Sequence, residues 1–409
     1  VTSWIDSDEH GSRLAAERQR LLGFGLGTAH PLGGAAWLDD AGNPDLERPV
    51  QTWITARMVH VYGLGLLLGR EDCRPVAEAA LAGLTGPLHD GERGGWFAAV
   101  LADGSPEPPA EKSCYAHAFV VLAASTATLA ALDGGRALLE QATRVLEDRF
   151  WDDEAGLCRD SWDRGWSVAD GYRGINANMH AVEAMLSAVD AGADPVWRQR
   201  ALRICRFVER QARGNHWRIP EHYDASWVAL PDYHRENPRD PFKPFGATVG
   251  HGFEWARLML HLEAALGTQA PDWLAPAAVS LFDRAATDGW AVDGEPGFVY
   301  TTDWAGVPVV RERMHWVAAE AVAAAAVLHR RTGKERYARL YRTWWEYVDT
   351  ALVDRDAGSW HHELDVHNQP AATVWPGKPD LYHAVQATLV PRLPLAPMPA
   401  AAVRAGSTG

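Results

Sequence analysis

Three histidines in this chain share one arrangement, each followed three residues later by a side chain able to hold it. His180 precedes Glu183, His251 precedes Glu254, and His383 precedes Gln386. Residues at i and i+3 lie on one helix face, so each imidazole has a polar neighbour that can fix its tautomer and tilt. A neutral imidazole titrates near physiological pH, which suits it to moving protons on and off carbon or sugar oxygens. Trp53, Arg57 and His60 follow helical spacing and set a fixed-fork cation beside an indole, a pairing suited to hydroxyl or oxyanion recognition. Asn176, His180 and Glu183 form another stripe of amide, imidazole and carboxylate.

Each pattern also has a plainer explanation. Arg57 reads first as a structural cation paired with one of many carboxylates. Asn176 and His180 fit equally well a helix start capped by Asn with a satisfied core histidine. Around His251 the functional reading is ahead: glycines at 250 and 252 allow close approach of a ligand, and free first-turn N–H groups favour a developing anion. In Lys378-Pro379-Asp380-Leu381-Tyr382-His383, a capped helix accounts for Pro379 and Asp380 but not for the imidazole.

The elements that must position these residues are helices. Apolar residues recur at three and four through stretches such as Trp53–Leu68, His117–Leu132, Asn178–Ala191, His251–Leu266 and Met314–Arg331, while alternating strand patterns are nearly absent. Short turns rich in Gly and Trp, including Gly94-Gly95-Trp96-Phe97, Asp288-Gly289-Trp290 and Asp356–Trp360, recur at roughly 60–70 residues, the length of a helix hairpin with its loop. About six hairpins, hence about a dozen helices, can bury their faces by closing into a toroid. The expected fold is all-α, an (α/α)6 barrel over residues 1–392, with helix starts meeting at a central cleft. The loop Trp217–Pro244 is long enough to wall that cleft, and the Pro/Ala-rich segment 393–409 is expected to be loosely held.

Composition narrows the function classes. A formal charge of −14 argues against nucleic acid, whose phosphates demand a basic face. Four separated cysteines without a CxxC pair fit free thiols in a reducing cytosol. The N-terminal residues lack an apolar signal core, and the most apolar stretch, 318–328, is too short for a bilayer. A cytoplasmic protein without membrane partners, monomeric or homodimeric, is expected. Among 19 tryptophans some can line a sugar cleft, but most are expected to fill space between helix layers. Gly63-Leu64-Gly65 lies in a helical stretch and is set aside as a dinucleotide loop. His361-His362-Glu363 and His367 lack HExxH spacing and read as a solvated hairpin rather than a metal site.

Taken in order, Trp53-x3-Arg57-x2-His60, Asn176-x3-His180, Gly250-His251-Gly252-Phe253-Glu254-Trp255 and Lys378-Pro379-Asp380-x2-His383-Ala384-x-Gln386 resemble the N-acylglucosamine 2-epimerase superfamily. Arg313-Met314-His315-Trp316-Val317-Ala318-Ala319-Glu320 looks like its isomerase branch, the mannose and sulfoquinovose isomerases. The resemblance implies an (α/α)6 barrel acting on a free monosaccharide without cofactor or metal. It implies His251, helped by His180, for ring opening and His383 for proton transfer between C2 and C1, with Arg57 stabilising a cis-enediolate. Glu254 and Gln386 would orient imidazoles. Trp53, His60, Tyr115, Asn176, Glu183, Trp316 and Trp375 complete the implied sugar-binding set, with Arg239 as a loop cation. Mannose, with lyxose as a related substrate, is favoured over a sulfonated sugar. The alternatives are a 2-epimerase, a glycoside hydrolase using two carboxylates, and a non-catalytic sugar-binding protein.

Overall fold

The computed structural model describes residues 3–406, in which helices alternate between an outer and an inner ring. The outer ring is α1 (Asp8–Phe24), α3 (Arg74–Thr85), α5 (Gly135–Val145), α7 (Val196–Gly214), α9 (Leu274–Gly289) and α11 (Glu335–Tyr347). The inner ring is α2 (Thr52–Leu67), α4 (Cys114–Leu129), α6 (Ile175–Asp190), α8 (Val249–Leu266), α10 (His315–Thr332) and α12 (Tyr382–Leu389), followed by α13 (Pro399–Arg404). Each inner helix packs on its inner neighbours, and α12 returns to α2, so the ring closes.

Sequence assigns each helix to its ring. Outer helix α7 buries Trp197, Ala201, Ile204, Cys205, Val208 and Ala212, a stripe at three and four, and turns its arginines outward. Inner helices are apolar nearly all round: α2 is buried from Thr52 to Leu66. Helices of that kind need protein on every side, and a double ring supplies it. Eight of the 19 tryptophans are buried, Trp96, Trp255, Trp344 and Trp360 wholly so, while the other eleven are partly exposed, so fewer fill space between layers than expected. Gly63 and Gly65 lie inside α2.

Five of the six inner helices are led in by a strand of two residues, Val50–Gln51, Lys112–Ser113, Arg173–Gly174, Ala247–Thr248 and Arg313–Met314. Each pairs antiparallel with a strand from the next turn of the repeat. These ladders, too short to show as alternation in the sequence, fix where each inner helix begins. Helix α12 has no such strand. Its lead-in is held by Lys378, fully buried against Asp354 and the Gly358 carbonyl, and by Gly377, whose φ of 73° puts the chain against the Leu38 carbonyl.

Residues 393–406 are not loosely held, and 407–409 lie outside the described residues. Leu393, Met398, Ala400, Ala402 and Val403 are buried, and α13 packs on α2, α4 and α6. The Met398 N–H donates to Asp190 at the end of α6 (2.7 Å), and the His261 ring meets the Leu395 carbonyl (2.6 Å). The Pro/Ala composition that suggested a tail instead forms a short apolar plug at the end of the inner ring opposite the helix starts. The four cysteines are free and buried, and among the described residues no helix is long and apolar enough to cross a membrane.

Deleting residues 393–409 removes this plug, and each large buried apolar side chain lost is worth about 1.5–3 kcal/mol. The truncated chain is expected to unfold several degrees lower by scanning calorimetry. An unchanged midpoint would show that the plug contributes no packing energy.

Candidate active site

The first turns of the inner helices surround a cleft of about 670 Å³ that opens to solvent. Trp53 and Arg57 enter from α2, Tyr115 from α4, Asn176 and His180 from α6, His251 and Glu254 from α8, Trp316 from α10 and His383 beside Asp380 at α12; Trp375 closes one wall. The three histidines, separated by up to 203 residues, therefore face one space. Pro241, Phe242 and Pro244 of the long loop also line it, with the Phe242 ring 5.3 Å from Trp375 and 6.0 Å from Trp53.

The imidazoles are not held by the neighbours three residues ahead. His251 Nδ1 meets Glu221 Oε2 at 3.0 Å, and His383 Nδ1 meets Glu320 Oε1 at 2.9 Å. His180 Nδ1 lies 3.7 Å from Glu254 and 3.9 Å from Glu183, beyond hydrogen-bond reach of either. In a closed ring, the face shared by i and i+3 fronts adjacent helices and loops, which bring carboxylates closer than the helix's own next turn does. A carboxylate can only accept, so Nδ1 of His251 and of His383 carries the proton and Nε2 is left as a base. Burial lowers the pKa of His383 from the usual 6.5, with Glu320 opposing the shift, and burial takes His180 to about 4. Both rings are thereby kept neutral.

Arg57 is both a structural cation and part of the cleft. It donates to Asp380 at 3.1 Å and to the Tyr115 hydroxyl at 3.0 Å, and its guanidinium lies 4.8 Å from the Trp53 ring and 4.4 Å from Phe119. Asp380 also accepts from the Tyr382 N–H, tying Arg57 to the start of α12. Glu254, in the cleft wall, has its carboxyl pushed far above the ordinary range by burial and by the neighbouring Glu320.

Some expected residues lie elsewhere. His60 is a turn deeper and bonds Thr126 at 2.6 Å. Glu183 and Gln386 are buried together beneath the cleft, where Glu183 accepts from Gln386 and Tyr382. Arg239 pairs with Glu312 at 3.0 Å outside the cleft lining, Arg235 pairs with Asp232, and Lys243 lies over the Tyr172 ring. Gly250 makes room for a side chain rather than a ligand: a Cβ there would lie 2.2 Å from the Trp316 ring, and one at Gly252 would lie 2.9 Å from Ala285. The supposed solvated hairpin is also different. His362 is buried, lines the cleft and stacks on His315 at 3.8 Å, while Glu363 caps the N–H groups of Thr373, Val374 and Trp375. Glu221, His315, His362 and Tyr300 carried no spacing signal; Glu320 did, one helical turn beyond Trp316.

Among the described residues, one trio lies close enough to share a divalent ion: His180, Glu183 and Glu254. The Arg257 guanidinium already stands 3.6 Å from Glu254 and 3.9 Å from Glu183, so a permanent cation already faces this cluster.

The family model described as N-acylglucosamine 2-epimerase matches residues 33–387. A D-mannose isomerase of Thermobifida fusca is 49% identical over 405 residues, covering 98% of this chain and 99% of the relative. One from Pseudomonas cannabina pv. alisalensis is 48% identical over 406 residues, covering 98% and 97%. A crystal structure of D-mannose isomerase superposes with a TM-score of 0.87 at 27% identity, covering 96% of this chain and 99% of that one. The cellobiose 2-epimerase of Spirochaeta thermophila DSM 6192, at 22% identity and TM-score 0.82 over 94% and 96% of the two chains, shares the fold.

The Trp316 ring lies 5.3 Å from His251 and 5.7 Å from His383, so its seat governs both imidazoles. Gly250→Ala is expected to unseat it and lower kcat/KM at least about tenfold. Steady-state kinetics on the folded variant check this.

Proposed function

The chain belongs to the N-acylglucosamine 2-epimerase family, and from that premise we propose that it is an aldose–ketose isomerase interconverting D-mannose and D-fructose. D-lyxose and D-xylulose form a second pair in the same reading. Relatives named D-mannose isomerase and matched over nearly the whole chain support it. The structural observation that carries it is the carboxylate-held pair His251 and His383 with Trp316 beside both. The reading places the enzyme in a reducing cytosol, in keeping with four free cysteines.

In the proposed mechanism His251, with His180, moves protons between the anomeric hydroxyl and the ring oxygen and so opens the pyranose. The base form of His383 then takes the C2 hydrogen as a proton. The C–H electrons form the C1–C2 double bond, and the aldehyde oxygen becomes an enediolate oxygen. Arg57 and the positive start of α8 stabilise that charge in a site preorganised before the sugar arrives. The O2 proton passes to O1, His383 returns its proton to C1, and the C2 carbonyl of the ketose remains. Asn176, Tyr115, Trp53 and Trp375 hold the open chain. The cation that a sulfonated sugar requires is not supplied by the loop, since Arg239 and Arg235 are paired away from the cleft.

A 2-epimerase would instead use the two imidazoles in turn on opposite faces of C2. Incubating mannose in heavy water and following the products by NMR separates the readings: ketose as the main product is expected, and glucose without ketose would replace isomerisation by epimerisation.

His383→Ala is expected to lower turnover about 10²–10⁴-fold with an unchanged circular dichroism spectrum. Near-normal turnover would remove His383 from the mechanism.

The pH profile follows from the same residue. His383 acts as a base only when neutral, and burial lowers its pKa below 6.5. Turnover should therefore hold steady as pH falls from 8 toward about 6.5 and be lost below the lowered pKa. A loss setting in above 6.5 would contradict the assignment.

A further inference from the structure

Beneath the cleft, wholly buried, Arg257 stands on α8 nearly two turns below His251. Its Nε donates to Glu320 Oε2 at 2.8 Å, and the other oxygen of Glu320 accepts from His383 Nδ1 at 2.9 Å. Its two terminal nitrogens face Glu254 at 3.6 Å and Glu183 at 3.9 Å without hydrogen-bond partners of their own. One guanidinium thus touches three glutamates from three inner helices. The mechanism above makes no use of it.

We propose that Arg257 is a positioning residue for the reaction, keeping Glu320 a hydrogen-bond acceptor and thereby fixing the tautomer of His383 that can take the C2 proton. The inference rests on the role given to His383 under the proposed function. Carboxylates crowded out of water take up protons unless a cation offsets them. Burial alone raises the pKa of Glu320, and Arg257 and then His383 reverse that, leaving it lowered to about 2. Arg57, on the α2 side, is paired with Asp380 and cannot stand in. The other groups facing Glu320 and His383 supply no positive charge, because burial holds His180 and His315 neutral. Tyr382, bonded to Glu183, likewise stays protonated.

Without Arg257, Glu320 binds a proton and its O–H donates to His383 Nδ1. The imidazole proton must then sit on Nε2, the nitrogen left free for the sugar, and the base is lost. His251 is exempt, because its partner Glu221 is not among the carboxylates Arg257 touches. That asymmetry separates positioning of one imidazole from a general loosening of the site.

The test uses the full chain with Arg257→Met and Arg257→Lys, read by ¹⁵N histidine NMR of the resting protein and by steady-state kinetics on mannose. The methionine variant is expected to lose about 10²–10³-fold in kcat with KM changed less than about threefold. Its His383 signals should move from the Nδ1–H to the Nε2–H pattern. Because Glu320 must now ionise before His383 can act, activity should return as pH rises, shifting the acid limb of the kcat profile upward. The lysine variant keeps the charge and should keep the Nδ1–H pattern. A folded methionine variant with the Nδ1–H pattern and the native pH profile would overturn the proposal, whatever its kcat. If the methionine variant does not fold, Arg257→Lys and Glu320→Met decide: retention of the native tautomer in Glu320→Met, or its loss in Arg257→Lys, overturns the proposal. The NMR arm needs no turnover, so its failure is distinct from a failure of the isomerase reading, which wild-type kinetics on mannose report separately.

Discussion

Charge buried at the axis of the inner ring is the constraint on which this architecture depends. Glu183, Glu254 and Glu320 are all shielded from water, and a carboxylate in such a place must be neutralised, protonated or surrounded by donors. The protein answers with Arg257 bonded to Glu320, with Tyr382 and Gln386 donating to Glu183, and with a Glu254 carboxyl pushed far above its ordinary range. The imidazoles of His180 and His383 rest on this floor, so their surroundings are set largely by groups buried beneath the cleft. Removing one partner from such a cluster costs more than its presence contributes, because the remaining charges are stranded.

The toroid follows from simpler forces. Alternation of amphipathic and uniformly apolar helices demands two concentric rings, and the short strand pairs set each inner helix at a common level. That is why residues at the starts of helices, scattered over the chain, become neighbours. Where the strand pairing is missing, at α12, Lys378 and Asp380 replace it with ion pairs to Asp354 and Arg57. Lys378 thus belongs to the helix anchor alone, while Asp380 serves both the anchor and the cleft wall.

The double ring was legible because helical periodicity is local and repeats. The histidines were legible because imidazoles at helix starts are hard to explain by packing. Their partners were not. Glu221 sits in a long loop with no periodicity, and Glu320 reaches His383 from a different helix, so spacing along one helix pointed instead to Glu254 and Gln386. His362 was passed over because its neighbours His361, Glu363 and His367 suggested a wet turn, whereas strand pairing at Glu363–Leu364 pulls it inward. Arg239 sits in a loop of the right kind, yet whether a long side chain turns toward a cleft or toward a nearby carboxylate is decided in space. The Pro/Ala-rich end of the chain misled because composition reports solubility of a segment in isolation and not the apolar seat waiting for it.

That seat has a consequence for the chemistry. With α13 stoppering the far end, the barrel is a cup rather than a tunnel, and everything that enters must leave by the same rim. Trp53, Phe242 and Trp375, packed edge to face at that rim, therefore border the route of entry and of exit alike.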